Sequence, residues 1–286
     1  MQTSVRQIIA IYCLCDDFLL ARGYKDAPQA KLTTAQVMTV ALVASALFCG
    51  NQDRSRVFLK EHGYIQPMLS KGAFNRRLHE VPEVLWQALF ALLAAVHQES
   101  NESQQYAVDS MPAVVCDNYR ICRSRLYPTK THGKAFRGYI ACKRRFFYGL
   151  RVHLVMTTSG LPVEVMLAPG SEADISAFRR LRLDLPPNSR IFADAGYLDQ
   201  QEEALLEEAG LLEEAGLHLV AQRRKNSKAP LPPWVAYIAR YERKRIETVF
   251  SQIASAFGRK IHAVTPHGFE LKVFLTVLAY SILAAT

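Results

Sequence analysis

The sequence predicts an α/β protein in which a helical N-terminal region precedes a mixed five-stranded sheet flanked by helices. Two observations predict this class. Residues 1–103 contain long apolar segments with helical spacing, and from residue 104 the apolar residues fall in short runs typical of strands. Strand-like and helix-like segments then alternate, which is typical of a sheet covered by helices. We therefore predict two regions, 1–103 and 104–286.

Two long helices and one short helix are predicted in the N-terminal region. "TTAQVMTVALVASALF" begins with a threonine that can cap a helix. Residues 81–100 begin with a proline at an early helical position and are apolar on most sides, so this helix should be buried. Residues 68–81 place a Ser-Lys-Gly turn before a short helix with Arg76 and Arg77. This resembles the second helix of a helix-turn-helix, although an ordinary surface helix fits equally well.

Strands and helices follow one another in the second region. The predicted strands comprise 104–111, two strands within 145–169 joined by a turn at Ser159–Gly160, 190–196 and 217–224. The predicted helices comprise 173–185, 198–210 and a long C-terminal helical region. "LLEEAG" occurs twice in tandem, at 205–210 and 211–216. We interpret this as a local duplication, because it is too short for a solenoid repeat.

Composition limits the compartment and the cofactor chemistry. The chain has 286 residues, half of them hydrophobic, and six scattered cysteines. These cysteines do not form a disulfide framework and fit a reducing cytosol. Zinc binding by Cys116, Cys122, His132 and Cys142 is an alternative, although no close CxxC pair is present. The N-terminus lacks a signal-peptide layout, and residues 37–50 are short for a membrane span, so we expect no membrane association.

Positive charge is concentrated in three clusters. The net charge is +9, and residues 118–163 contain no Asp or Glu, although aromatic residues are interspersed among their cations. Such clusters favour a polyanionic partner, although a charge run is often only a solvated surface. The candidate DNA-binding cations within and beside these clusters are Arg120, Arg123, Arg125, Lys130, Lys134, Lys143, Arg144, Arg145, Arg223, Arg224, Lys225, Arg240, Arg243, Lys244 and Arg245, to which we add Arg76 and Arg77 of the short helix.

Two aspartates follow apolar runs in similar contexts. Asp109 lies in "YAVDSMP" and Asp194 in "IFADAGY". Either could simply cap a helix or close a turn. In a mixed sheet, however, the ends of their two strands can lie side by side, and two carboxylates a few ångströms apart repel unless a proton or a cation lies between them. Oxygen ligands of this kind suit magnesium or manganese.

Glu247 is a candidate third ligand. It lies beside Ile246, at the margin of an apolar helical stripe in "YERKRIETVFSQIASAFGRK". A glutamate at that margin can point into a cleft at the end of a sheet. The alternative is a surface glutamate paired with Arg243, one turn earlier on the helix.

Four motifs in order resemble a known family. "AVDSMPAVVC", "FYGLRVHLV", "FADAGY" and "RKRIETVFSQI" together resemble bacterial insertion-sequence transposases of the DDE class, across about residues 104–285. The resemblance implies an RNase H-like catalytic domain in which Asp109, Asp194 and Glu247 bind two Mg²⁺ or Mn²⁺ ions. It also implies a cytoplasmic, nucleoid-associated enzyme acting, as a homodimer, on double-stranded DNA. Such an enzyme cleaves the terminal inverted repeats of its element and joins the 3′-hydroxyl to target DNA.

One departure and several alternatives accompany the resemblance. Some related transposases have a Tyr-Arg-Glu-Lys pattern around the last carboxylate; here Arg243 is at the expected spacing, but Arg240 and Ala254 occupy the Tyr and Lys places. Ser110 and Tyr197 are alternative covalent nucleophiles, although no base is recognisable near Ser110. Two other functions stay open: a metal-dependent nuclease of the same fold without strand transfer, and a non-catalytic DNA-binding derivative.

Overall fold

The chain divides into two compact units. The computed structural model describes residues 2–140, 144–197, 216–221, 232–257 and 261–285. Residues 1–93 and 252–286 form a helical unit, and residues 94–251 form a sheet unit. This division differs from the predicted boundary at residue 103, because the C-terminal residues group with the N-terminal helices. That residues 1–103 serve DNA-end binding and assembly and residues 104–286 carry catalysis remains a prediction.

The helical unit is built around one buried helix. Its long helices are α1 (Gln2–Ala21), α2 (Thr34–Leu47), α3 (Gln52–Glu61), α4 (Lys71–Glu80), the first part of α5 (Glu83–Glu99) and, near the C-terminus, α9 (Pro266–Ala284). Helix α2 contacts α1, α3, α4 and α9, and is buried along most of its length. This packing explains why α2 is apolar on all sides rather than on one stripe.

The predicted threonine cap of α2 is confirmed. The Thr33 side chain accepts a hydrogen bond from the backbone N–H of Gln36, at 3.2 Å, and the Gln36 side chain accepts one from the backbone N–H of Thr33, at 3.0 Å. This reciprocal capping box satisfies two backbone donors that the first turn of a helix would otherwise leave unpaired. It therefore fixes where α2 begins.

An ion pair joins α4 to the start of α2. The Arg77 guanidinium donates to Asp26 Oδ1 at 2.6 Å and to Thr34 Oγ1 at 2.8 Å. Asp26 also accepts from the backbone N–H of Thr34. Arg77 is therefore engaged within the helical unit, whereas Arg76, its neighbour on α4, is exposed. The predicted short helix is present, but a structural role of Arg77 now competes with its predicted role in reading DNA.

Two helices differ from simple expectations about burial. Helix α5, predicted to be buried, leaves Val84, Leu92 and Val96 exposed on one side. Helix α9 is long and apolar enough to cross a membrane by length and composition, and up to three such spans are counted among the described residues if two bent helix pairs are included. More than half of the apolar window of α9 is buried inside the protein, where α9 packs against α2. Packing within the helical unit therefore accounts for much of its apolar character.

The sheet unit contains a mixed sheet of six strands. They are β1 (Gln105–Asp117), β2 (Arg137–Ile140), β3 (Arg145–Thr157), β4 (Pro162–Pro169), β5 (Arg190–Ala193) and β6 (His218–Ala221). The order is β2–β3–β1–β5–β6, and β4 pairs with β3 beyond the end of β2. The pairs β1–β3, β2–β3 and β3–β4 are antiparallel, whereas β1–β5 and β5–β6 are parallel. The predicted mixed sheet with helices before and around it is confirmed.

Two local predictions in the sheet unit are corrected. Strand β2 was missed, because four residues within a basic segment give little strand signal. The helix predicted over 173–185 is only α7 (Asp174–Phe178). Beyond it the backbone N–H groups of Arg182 and Leu183 donate to the Glu164 carboxylate instead of continuing the helix, at 2.6 and 2.9 Å. The predicted helix 198–210 and the LLEEAG duplication lie outside the described residues except Gly216.

Among its described residues, the sheet unit also contains a 3₁₀ helix (Asn118–Arg123), one short α-helix and one long α-helix. Helix α6 covers only Thr129–His132, whereas α8 (Pro233–Ala256) supplies six turns and extends past the end of the unit. The apolar stripe predicted for α8 is confirmed by the burial of Ile246, Val249, Phe250, Ile253 and, just after the helix, Phe257.

Arg77→Ala should destabilise the protein. The substitution leaves Asp26 without its charged partner, and a hydrogen bond to a charged group contributes about 1.5–3 kcal/mol. We expect the free energy of unfolding to fall by roughly 1–3 kcal/mol in urea titration. Arg76→Ala, on the exposed side of the same helix, is the matched control and should change it by less than about 0.5 kcal/mol. Equal effects of the two substitutions would contradict the assignment.

His97 should make stability depend on pH. This residue of α5 is buried, its Nδ1 donates to the carbonyl of Pro162 at 2.8 Å, and burial lowers the pKa of its imidazole. The folded protein therefore resists a proton that the unfolded chain accepts. The resulting stability is complete above the unfolded pKa of about 6.5 and is lost as pH falls from there towards the lower folded-state pKa.

The test compares the wild type with His97→Asn, which keeps a donor near the Nδ1 position but does not titrate. Urea unfolding of both proteins at pH 7.5 and pH 5 should show a larger loss of stability for the wild type. Other buried groups, including His153, titrate in both proteins and cancel in the comparison. An equal loss in the two proteins would show that His97 does not cause it.

Candidate active site

Asp109 and Asp194 are brought together by parallel strand pairing. The β1–β5 register pairs Val108 with Ala193. The next residue after each of them is an aspartate, so Asp109 and Asp194 occupy the next pair of positions along the two strands. Neighbouring strands are about 4.8 Å apart, so the two residues are adjacent. The sheet therefore creates a pair of carboxylates from residues 85 positions apart in the sequence.

The two aspartates occupy different backbone contexts. Strand β5 ends at Ala193, and the chain then enters a 3₁₀ turn over Ala195–Tyr197. Strand β1, by contrast, continues to Asp117 because β3 pairs with it along its whole length. Asp109 was predicted at a strand end; it lies within β1, at the level where its parallel partner ends. Both carboxylates are half-buried.

Ser110 links Asp109 to a further carboxylate. The backbone N–H of Ser110 donates to Asp109 Oδ1 at 2.8 Å, and the Ser110 hydroxyl donates to Asp174 Oδ1 at 2.8 Å. Arg151 of β3 donates to Ser110 Oγ at 3.1 Å, and its Nη1 lies 3.5 Å from Asp174 Oδ1. Asp174, the first residue of α7, thus belongs to a polar network directly behind Asp109.

Buried aromatic and imidazole groups complete the environment. Tyr197 is fully buried; its ring packs edge-on against Phe178, and its hydroxyl lies 3.4 Å from His153 Nδ1. Burial, followed by the charges of Asp174 and Asp109, raises the pKa of Tyr197 well above its usual range. Burial lowers the pKa of His153 to about 4. Both groups are therefore neutral near pH 7, and neither adds charge beside the carboxylates.

Ser110 and Tyr197 were also considered as covalent nucleophiles. Tyr197 is enclosed by protein, which fits its alternative role in packing. The Ser110 hydroxyl donates to a carboxylate that is paired with Arg151, and its position is thereby fixed. These contacts enclose the Tyr197 ring and fix the Ser110 hydroxyl beside Asp174.

Glu247 differs from the two half-buried aspartates in its exposure to solvent. It is exposed on α8, next to the buried Ile246. Within the ranges that the structure describes, no three side chains among His, Cys, Asp and Glu form a group that could hold a metal ion. The structure thus brings together Asp109 and Asp194 but does not group Glu247 with both of them. The side chain of Arg243, the alternative partner of Glu247, lies outside the described residues.

Comparison with known proteins identifies the family. A family profile described as a transposase DDE domain matches residues 101–282, which is more than half of the chain. The chain belongs to the DDE transposase family. Comparison with curated proteins and with solved structures gives no significant match.

Family membership is in keeping with the excess of positive charge. DDE transposases are enzymes that act on DNA and generally use divalent metal ions. The matched range includes the whole sheet, Asp109, Asp194 and Glu247. The mixed sheet preceded by helices is consistent with the RNase H-like fold of this family. Carboxylate oxygens on adjacent strands are the donors that magnesium and manganese prefer, so the residues present fit such ions.

The predicted DNA-binding cations are mostly exposed. Those with exposed side chains are Arg76, Arg120, Arg123, Arg125, Lys130, Lys134, Arg144, Arg145, Arg240, Lys244 and Arg245. Lys143, Arg223, Arg224 and Lys225 lie outside the described residues. Exposed cations can contact backbone phosphates, and such contacts are the commonest kind in protein–DNA complexes.

Exposed aromatic residues accompany two of the basic segments. On α8, Trp234, Tyr237 and Tyr241 are more than half exposed and repeat at helical spacing on the side away from the buried stripe. On the β2–β3 hairpin the Arg137 guanidinium lies 4.4 Å from the centre of the Phe146 ring. Sequence reasoning noted the hairpin aromatics but missed those on α8, whose spacing of three and four residues was the available signal.

Asp174 and His153 were also missed. Asp174 is a first-turn acid of a short helix, a position where a carboxylate ordinarily serves the helix itself. His153 lies in an apolar strand, where a buried histidine is usually structural. No local pattern connects them with Ser110: strand pairing places His153 opposite Ser110, and a hydrogen bond joins Ser110 to Asp174.

Proposed function

We propose that the protein is a DNA transposase that cleaves the ends of its element and joins the resulting 3′-hydroxyl to target DNA. The observation that carries the proposal is the adjacency of Asp109 and Asp194 on parallel strands within a DDE transposase domain. Two adjacent carboxylates offer the oxygen ligands that divalent ions prefer. Phosphoryl transfer on DNA is the chemistry that such ions support.

Asp109, Asp194 and Glu247 are the residues that we propose to hold two Mg²⁺ or Mn²⁺ ions. When bound, such ions activate a water or a DNA 3′-hydroxyl for in-line attack on phosphorus and stabilise the leaving oxygen. The Ser110 N–H donates to Asp109 Oδ1 and would orient this carboxylate for an ion. Glu247 would approach from α8, and its exposed position leaves the carboxylate accessible.

The surrounding residues exclude competing interactions. His153 and Tyr197 are neutral near pH 7, so neither pairs with the carboxylates as a cation. The charge of Arg151 is directed to Asp174, Ser110 and the carbonyls of Tyr139 and Gly170.

The exposed cations are proposed to hold DNA by its phosphates. The β2–β3 hairpin, with Arg137, Arg144 and Arg145, and the exposed side of α8, with Arg240 and Lys244, offer such contacts. Phosphate contacts position DNA without reading its sequence. Recognition of the element ends is assigned to the helical unit, where Arg76 is exposed on α4.

Loss of any proposed ion ligand should abolish catalysis. We expect Asp109→Asn, Asp194→Asn and Glu247→Gln each to abolish Mg²⁺-dependent cleavage and joining of DNA, because a missing carboxylate weakens ion binding at the reacting phosphate. Binding of the same DNA, measured without metal, should stay near the wild-type value. Glu242→Gln is the matched control, since Glu242 is a buried glutamate on the same helix and should be dispensable for chemistry. Near-normal activity of a ligand variant would remove that residue from the site.

Cations on the hairpin should contribute to DNA binding regardless of sequence. Replacing Arg144 and Arg145 by Gln should weaken binding to element-end DNA and random DNA by equal factors. Each lost phosphate contact should also lower the slope of log affinity against log salt by about 0.9. Arg76→Ala should instead reduce the difference in binding affinity between element-end DNA and random DNA, since a good base contact contributes roughly 1–3 kcal/mol of discrimination.

The measurement for these two changes is a binding titration on both DNAs at several salt concentrations. If Arg76→Ala lowers the affinity for both DNAs by the same factor, α4 does not read the DNA sequence. If the hairpin variant keeps the wild-type slope, its arginines do not contact phosphates.

Joining of a pre-cleaved end separates the proposed function from its alternatives. A short DNA carrying an element end with a free 3′-hydroxyl should become covalently attached to a plasmid in the presence of Mg²⁺. Cleavage without joining would favour a metal-dependent nuclease of the same fold. Binding without either reaction would favour a non-catalytic DNA-binding derivative.

A further inference from the structure

Asp174 contacts the segments that follow both candidate aspartates. Its Oδ1 accepts a hydrogen bond from the hydroxyl of Ser110, the residue after Asp109. Its Oδ2 lies beside Gly196, two residues after Asp194, where an added Cβ would be 3.2 Å away. One carboxylate thus lies against the β1 segment and the turn after β5 at the same time.

Ser110 transmits the position of Asp174 to Asp109. Its hydroxyl is held by Asp174, and its backbone N–H donates to Asp109 Oδ1. A rotation of the Ser110 peptide would therefore move the donor that orients the Asp109 carboxylate. Because Ser110 is an uncharged link, this path can be tested without changing the charge of the site.

Asp174 is itself held in place from two sides. The Arg151 guanidinium pairs with its carboxylate and donates to the backbone carbonyls of Gly170 and Tyr139. Phe178, one turn along the same helix, packs against the buried ring of Tyr197 at 5.8 Å between centres. The short helix α7 is therefore fixed to β3 through Arg151 and to the turn after β5 through Tyr197.

We propose that Asp174 is a positioning residue of the active site, which sets the spacing and orientation of Asp109 and Asp194 for ion binding. The inference rests on the proposed function, since it concerns the same ions. Asp174 acts through Ser110 and the turn at Gly196, and its Oδ1 is already engaged by Ser110 and Arg151. It is thus distinct from the three proposed ligands.

The test is a titration of the full-length protein with Mn²⁺, in which free ion is followed by electron paramagnetic resonance. Loss of a residue that supports metal ligands typically weakens metal binding 10- to 100-fold. Asp174→Asn and Ser110→Ala should each weaken Mn²⁺ binding within this range while thermal unfolding and DNA binding stay near the wild type. The double variant should bind Mn²⁺ no less tightly than the single variant with the lower affinity, because both substitutions act on one path.

A control and a charge-neutral variant make the result decisive. Asp184→Asn removes the same charge from an exposed residue shortly after α7 and should leave Mn²⁺ binding unchanged. Ser110→Ala changes no charge, so weak binding by this variant excludes a purely electrostatic effect of Asp174. If Asp174→Asn fails to fold, Ser110→Ala alone tests the same path.

Two outcomes would overturn the inference, and they differ in what else they contradict. If folded Ser110→Ala and Asp174→Asn bind Mn²⁺ like the wild type, Asp174 does not position the ligands, and the proposed function is untouched. If the wild type binds no Mn²⁺ and cleaves no DNA, the proposed function fails as well.

Discussion

The parallel pairing of β1 with β5 is the constraint on which the candidate site depends. It places Val108 opposite Ala193. The next residues, Asp109 and Asp194, thereby become neighbours. A shift of one residue in this register would send one carboxylate to the opposite face of the sheet. The antiparallel β1–β3 pairing fixes the same strand from its other side and carries Arg151 and His153 to Ser110. Register, rather than any single contact, therefore creates the acidic pair.

The polar network behind the pair is consistent with this dependence. Two like charges at neighbouring positions repel, so the surrounding groups must hold them without neutralising them. The Ser110 N–H provides such a restraint for Asp109, while burial keeps Tyr197 and His153 uncharged. Exposed arginines and lysines lie on the β2–β3 hairpin and on α8, and also on α4 and in the segment between β1 and β2. In the proposed function, these cations would hold DNA while the aspartate pair holds ions.

The sequence predicted the features that depend on local patterns and on general rules of sheet topology. The cap at Thr33, the apolar stripe of α8 and the juxtaposition of Asp109 and Asp194 belong to this group. It could not predict that Arg77 pairs with Asp26, 51 residues earlier, or that Ser110 bonds to Asp174, 64 residues later. Such contacts depend on how elements pack, and neither partner carries a local signal. The predicted helix was longer than α7 because the acceptor that ends it, Glu164, lies on the distant strand β4.

The most direct test of the central claim is anomalous diffraction from crystals of the protein bound to DNA in Mn²⁺. If the β1–β5 register builds the ion site, manganese peaks should lie within coordination distance of carboxylate oxygens of both Asp109 and Asp194, at about 2.0–2.3 Å. Manganese bound elsewhere, with neither aspartate as a ligand, would contradict the account. It would then leave the acidic pair as a structural feature of the sheet and move the chemistry to another part of the chain.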